Sequence, residues 1–160
     1  MYKYRHILQN DIGAIKQINE KYLKENYNYK FWFNIISKFN SYNFVCFKDN
    51  IIVGYILACP NIFENKDDEI LLISIAVNEE HRNNGIAKNL INLLLKTCKV
   101  NKTFNRCILN VRENTNNNGI NLYSKLGFTQ DKIIEKYYQD GENCILMEYK
   151  LIWNEINLKN

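Results

Sequence analysis

The chain has 160 residues, 46% of them hydrophobic and 24% charged, with a formal net charge of +4. That balance is too apolar for a disordered segment, and the length is too short for two independent cores, so one globular domain over residues 1–152 with a short tail at 153–160 is expected. Lys and Arg are dispersed rather than gathered into a stripe with aromatics, which argues against direct nucleic-acid binding; a solvated surface, or a local excess beside an anionic cofactor, accounts for the charge.

Residues 2–8 read as a first strand. Asn10-Asp11 then offer an N-cap, and Ile12, Ile15, Ile18 and Tyr22 follow at helical spacing to about Leu23. The polar stretch Glu25-Asn26-Tyr27-Asn28 separates this helix from a second at 29–39, whose Phe31, Trp32, Ile35, Ile36 and Phe39 share a broad apolar face. Ser41–Phe47 and Ile51–Cys59 flank the turn Lys48-Asp49-Asn50 as a hairpin. A polar loop at 61–68 precedes an apolar strand, Ile70–Val77. The turn Glu79–Asn84 leads through Gly85 into a helix running to about Lys99. A strand at Arg106–Arg112, an Asn-rich loop and a short helix ending at Gly127 come next. Ile133–Tyr138, the turn Asp140-Gly141 and Asn143–Leu151 read as a closing hairpin. The order β-α-α-β-β-β-α-β-α-β-β implies an α/β (α+β) fold, a mixed sheet with helices on both faces.

Five cysteines at irregular spacing, without a CxxC, and two histidines without a partner at ligand spacing point to no metal site. Reduced thiols in a cytoplasmic protein fit that pattern. No apolar run approaches the roughly 18 residues of a membrane span, and no signal-like core opens the sequence.

The most informative stretch is Ile73–Leu90. An apolar strand leads into Arg82-Asn83-Asn84-Gly85-Ile86-Ala87 and straight on into a helix. Unpaired N–H groups and the positive end of the helix dipole meet there, which suits a diphosphate. Gly85 lets the backbone approach an anion, Ala87 removes bulk, and Arg82 can add a charge-assisted contact. A turn glycine alone is the competing reading. The segment resembles motif A of the GNAT acetyltransferases, whose R/Q-x-x-G-x-G/A loop holds the diphosphate of coenzyme A. The resemblance implies a GNAT fold with a mostly antiparallel sheet of about seven strands. It also implies acetyl-CoA as cofactor, held by Ile75, Ala76 and Val77 along the strand and by Arg82, Asn83, Asn84, Gly85, Ile86 and Ala87 in the loop.

Asn121-Leu122-Tyr123-Ser124-Lys125-Leu126-Gly127-Phe128 looks like the family's L-Y-x-K-x-G-F segment, which places Tyr123 near the thioester sulfur as the acid for the departing thiolate. Val111-Arg112 and Asn116 resemble the V-R…N before it, with Asn116 on the cofactor. Between Arg112 and Asn116 the chain is one residue longer than that pattern, and Gly119 stands where alanine is usual.

Lys24-Glu25-Asn26-Tyr27 is similar to the P-E-N-Y loop, and Tyr137-Tyr138-Gln139-Asp140-Gly141-Glu142 to the Y-Y-x-D-G-E hairpin, of the catalytic subunits of NatA-type protein N-terminal acetyltransferases. By this resemblance Glu25 is the base or substrate-positioning acid and Arg112 orients it. Glu25, Tyr27, Tyr137 and Tyr138 bind the substrate N-terminus, and N–H near Ile75 stabilises the oxyanion. It also implies a helical-repeat auxiliary subunit, and through it the ribosome, as partners seated on the first helices. Glu25 as a solvated loop carboxylate, Arg112 as the partner of a neighbouring acid, the tyrosine pair as strand alternation and helix 29–39 as a thicker local core are the competing readings. Another GNAT acceptor, or a non-catalytic acyl-CoA-binding subunit, are the alternative functions.

Overall fold

The structure, a computed structural model, describes residues 1–151, so the expected tail at 153–160 lies outside the described residues. Among the described residues the chain runs β1 (Lys3–His6), α1 (Ile12–Tyr22), α2 (Tyr29–Phe39), β2 (Phe44–Lys48), β3 (Ile51–Asn61), β4 (Lys66–Val77), α3 (Ile86–Asn101), β5 (Arg106–Arg112), α4 (Asn117–Lys125), β6 (Thr129–Ile134) and β7 (Cys144–Lys150). This is the expected element order. The strands form one mostly antiparallel sheet ordered β1-β2-β3-β4-β5-β7-β6. Two compact units divide the chain: Met1–Cys59 with Leu72–Thr97, and Pro60–Leu71 with the residues from Cys98 on.

In the first unit the core gathers Ile12, Ile15 and Ile18 of α1, Trp32, Ile35 and Ile36 of α2, and Val45, Tyr55, Leu57 and Ala76 of the strands. Phe31 and Phe39 are partly buried against the same cluster, so most of the broad apolar face of α2 goes inward. Tyr29 and Phe33 stay exposed and stack on each other. The α2 helix starts where the Asn28 side chain accepts a hydrogen bond from the Phe31 N–H at 2.9 Å, an N-cap that satisfies one of the first-turn donors. Asp11 behaves differently from the cap expected of it. Its carboxylate reaches back to the Leu8 N–H at 2.7 Å and takes both Arg5 nitrogens, at 2.6 and 3.0 Å, so it closes the turn from β1 rather than capping α1. The β2–β3 turn places Asp49 and Asn50 at φ of 51° and 63°, the left-handed pair that a two-residue hairpin requires.

The second unit is clasped by Arg106, which donates to Glu69, Asp131 and Glu148. Glu69 is nearly buried and also accepts from Asn61 at 2.9 Å. Two boundaries depart from expectation here. The polar stretch 61–68 shrinks to a turn, because β3 continues to Asn61 and β4 begins at Lys66. The strand expected at 133–138 lies instead at Thr129–Ile134. It is the edge strand, its first five residues are exposed, and no apolar alternation marks it. Its pairing with β7 slips between Gln130 and Lys132. Lys136, at φ 50°, breaks the extended run, so Tyr137 and Tyr138 fall in the β6–β7 connection rather than on a strand.

Candidate active site

The first unit holds the motif-A residues. Ala76 and Val77, at the end of β4, are buried, while Arg82 to Gly85 are exposed and Ile86 is buried at the head of α3. Asn78 donates from its N–H to Val53 O, and a turn at Glu79–His81 carries the chain around. Gly54 makes this junction possible. A Cβ there would stand 3.2 Å from Ala76 O and 3.3 Å from both the Val77 and Ile86 methyls. Arg82 is anchored by its Nε–H to Val77 O at 3.0 Å, with its guanidinium 4.6 Å from the Tyr22 ring centre. The Asn84 side chain donates to the carbonyls of His81 and Arg82, both at 3.0 Å.

Asn83 and Gly85 take φ of 61° and 74°. Apart from Gly85 itself and its two chain neighbours, no atom comes within 4 Å of the position a Gly85 Cβ would occupy. The first main-chain bond of α3 runs from Asn89 N to Gly85 O, so the N–H groups of Ile86, Ala87 and Lys88 have no partner within the helix. That helix end carries no acidic residue in its first turn; Lys88 stands there instead, an arrangement the dipole disfavours unless an anion is added. Open backbone donors, positive charge and a side-chain-free approach together fit a diphosphate.

The α1–α2 loop, also in the first unit, carries Glu25 and Tyr27. Both are half-buried and alternate with exposed Lys24, Asn26 and Asn28. Trp32 Nε1–H donates to Tyr27 O at 3.2 Å, and the Asn19 amide nitrogen lies 3.1 Å from Glu25 O. Tyr27 stacks on Phe31 with ring centres 4.5 Å apart.

The second unit holds the rest. Tyr123 is buried in α4, beside Phe128, and burial lifts its hydroxyl to a pKa of about 12. Asn116 caps α4, its Oδ1 accepting from Gly119 N–H at 3.0 Å. Gly119 accommodates that cap, since a Cβ on it would fall 2.7 Å from the Asn116 amide. Arg112 lies with its guanidinium 3.9 Å from the Tyr138 ring centre and bonds Asp140 at 2.8 and 3.0 Å and Glu142 at 2.8 Å. Burial raises the Glu142 pKa. The Arg112 guanidinium, the Thr115 hydroxyl and the N–H groups of Thr115 and Asn114 outweigh that and hold it down at about 2. Tyr137 and Tyr138 pack edge to face, 5.0 Å apart. Tyr137 stands at the rim of a cleft of about 170 Å³ floored by Leu71, Ile108 and Leu146.

The motifs passed over Asn19 and gave Glu142 no role of its own, although both hold loops in place. Asn19 left a signal, since it sits on the apolar stripe of α1, four residues after Ile15 and three before Tyr22. Among the described residues no cluster of His, Cys, Asp and Glu could hold a metal ion, and no helix is long and apolar enough to cross a membrane.

The model of the acetyltransferase (GNAT) family matches residues 6–128. An N-alpha-acetyltransferase of Sulfurisphaera tokodaii is 36% identical over 155 residues, 91% of each chain. Another from Saccharolobus solfataricus is 37% identical over 152 residues, 89% of each. The crystal structure of Ard1 from Thermoplasma volcanium superposes with a TM-score of 0.85 at 22% identity, over 95% of this chain and 99% of that one; at that identity the likeness is one of fold.

Proposed function

This chain belongs to the GNAT acetyltransferase family and is an acetyl-CoA-dependent N-acetyltransferase, and from that premise we propose that its acceptor is the α-amino group of protein N-termini, in the manner of the NatA catalytic subunits. The observation that carries this reading is the similarity, at 36% and 37% identity over nearly the whole chain, to two N-alpha-acetyltransferases. The Glu-Asn-Tyr loop and the Tyr-Tyr-x-Asp-Gly-Glu connection support it. Chains beginning with small residues after Met removal, or with acidic residues when the protein acts alone, are the expected substrates. A helical-repeat auxiliary subunit, ribosome association and a cytoplasmic site of action belong to the same proposal. Tyr29 and Phe33, which lie off the inward-packed face of α2, are its exposed aromatics.

Bound acetyl-CoA supplies the acetyl group as a thioester and leaves as the thiol. The open N–H groups of Ile86, Ala87 and Lys88, with Arg82 beside them, would hold its diphosphate, and the backbone of Ile75–Val77 would hold its pantetheine. An N-terminal amine has a pKa of about 7.7–8.0 against about 10.4 for lysine, so much of it is already neutral near pH 7.5 and asks little of a base. Glu25, through water, takes the proton that remains. Backbone N–H near Ile75 would stabilise the negative charge that develops on the acetyl oxygen. Tyr123, still protonated at cytosolic pH, would donate its O–H as a hydrogen bond to the departing sulfur; with its pKa at about 12 it would hold that sulfur rather than ionise, and the proton lost by the amine would complete the thiol. Asn116 orders the turn into α4, and Tyr27, Tyr137 and Tyr138 hold the substrate backbone. Arg112, clamped by Asp140 and Glu142, keeps Tyr138 in place.

The test is a panel of peptides with different first residues, offered with acetyl-CoA to the protein alone and with any co-purifying subunit. Acetylation concentrated on Ser-, Ala- or acidic-first peptides is expected; a preference for Met followed by a large apolar residue would assign a different N-terminal class.

A further inference from the structure

Asn19 is a fully buried carboxamide within α1. Its nitrogen lies 3.1 Å from Glu25 O, 3.0 Å from the Tyr55 hydroxyl and 3.3 Å from Ser74 Oγ. A main-chain carbonyl can only accept, so the nitrogen, not the oxygen, must face Glu25. Its two N–H bonds go to Glu25 and Tyr55, and the Tyr55 and Ser74 hydroxyls share a hydrogen bond of 2.7 Å in which either can donate. The amide oxygen has no partner among the described residues. A core seldom keeps a half-satisfied amide without a reason, and an apolar residue here would serve packing better. What the amide adds is a direct tie from α1 to the carbonyl of Glu25, with Tyr55 of β3 and Ser74 of β4 beside the same nitrogen. Trp32 ties the carbonyl of Tyr27 two residues on. Between them the loop is held in an extended, alternating path with Glu25 and Tyr27 half-buried.

We propose that Asn19 is a positioning residue for acyl transfer: acting through the Glu25 carbonyl, it fixes the register of the α1–α2 loop, and with it where the Glu25 and Tyr27 side chains stand. The proposal rests on the substrate-facing roles assigned to those two residues above. A misplacement of about 1 Å in a positioned group costs up to about 10²-fold in rate, so the effect belongs in turnover of the peptide and not in the cofactor.

The experiment measures kcat and both KM values with acetyl-CoA and a serine-first peptide for Asn19→Ala, Asn19→Asp, Tyr55→Phe and Glu25→Gln. Asn19→Asp keeps the shape of the side chain and turns an oxygen toward Glu25 O, so it remains informative should Asn19→Ala fail to fold. Both Asn19 variants are expected to lower kcat on the peptide about 10–100-fold while KM for acetyl-CoA stays within about twofold. Tyr55→Phe removes the hydroxyl but keeps the tie to Glu25; it is expected to lose thermal stability while keeping kcat within about threefold of wild type. An unchanged kcat in Asn19→Asp overturns the proposal. So does a loss in Tyr55→Phe as large as in Asn19→Ala, or an equal rise in KM for acetyl-CoA, because either marks a general loss of core order. Glu25→Gln separates the two readings: a silent Glu25→Gln removes the role given to that carboxylate, while peptide-specific losses at Asn19 would still report the register of the loop through Tyr27.

Discussion

At Gly85 the backbone is left-handed, and the space a side chain would fill is open. Gly85→Glu should therefore abolish coenzyme A binding, since it sets bulk and a carboxylate against the phosphates at a φ that strains any side chain. Calorimetry showing unchanged affinity would move the cofactor elsewhere. Tyr123→Phe should leave that affinity intact and lower turnover by about 10–10⁴-fold; equal turnover would make the ring a packing residue. Because the Tyr123 pKa is about 12, its ionisation lies outside the working range. The acid limb of kcat/KM should then follow the substrate amine, with a midpoint near about 7.7–8.0. Glu142 titrates on the other side. Its carboxyl falls from 4.5 to about 2 in the folded protein. The stability it contributes is thus complete above about pH 4.5, declines as pH falls toward about 2, and is gone below that. Glu142→Gln should flatten the acid limb of a thermal-stability profile between those values; a limb of unchanged slope would show that the Arg112 clamp contributes nothing.

Among the elements, α4 shows how a departure from a family pattern acquires a structural cause. Gly119 interrupts a helix, where glycine costs about 1 kcal/mol relative to alanine, but a Cβ there would meet the Asn116 cap. Gly119→Ala should gain the propensity and lose the cap, itself worth about 1 kcal/mol. The melting temperature should then barely move while the Asn116 side chain leaves the helix end, which faster amide exchange at position 119 would report. A large stabilisation would mean that the cap holds nothing. The periodic elements were legible in the sequence because burial wrote a pattern into them: α1, α2, β4 and α3 begin and end within a few residues of where their apolar spacing places them. β6 was not legible, because an exposed edge strand of Thr, Gln, Asp and Lys carries no apolar signal. Asp11 was read as the N-cap of α1, but its bonds run back to Arg5 and the Leu8 N–H, which nothing local announces. In the site, the cofactor loop could be read from a strand, a glycine and a helix in succession. The Asn19 tie could not: an asparagine on the apolar stripe of α1 marks a buried polar group, but not that it reaches Glu25 O in the next loop or Tyr55 and Ser74, 36 and 55 residues away.

For the whole molecule, composition narrows the function less than any single motif does. A net charge of +4 spread over the chain is compatible with an anionic cofactor and with many substrates. The family fixes the donor as acetyl-CoA. The central claim concerns the acceptor, and the difference of about 2.5 pKa units between an α-amine and a lysine favours the former at neutral pH before any recognition is added. The direct measurement is mass spectrometry of two peptides of identical sequence, each incubated with the protein and acetyl-CoA. One has a free α-amine and a dimethylated lysine; the other has a blocked N-terminus and an unmodified lysine. Addition of one acetyl group to the first and none to the second is the predicted result, and robust acetylation of the lysine peptide would contradict the account.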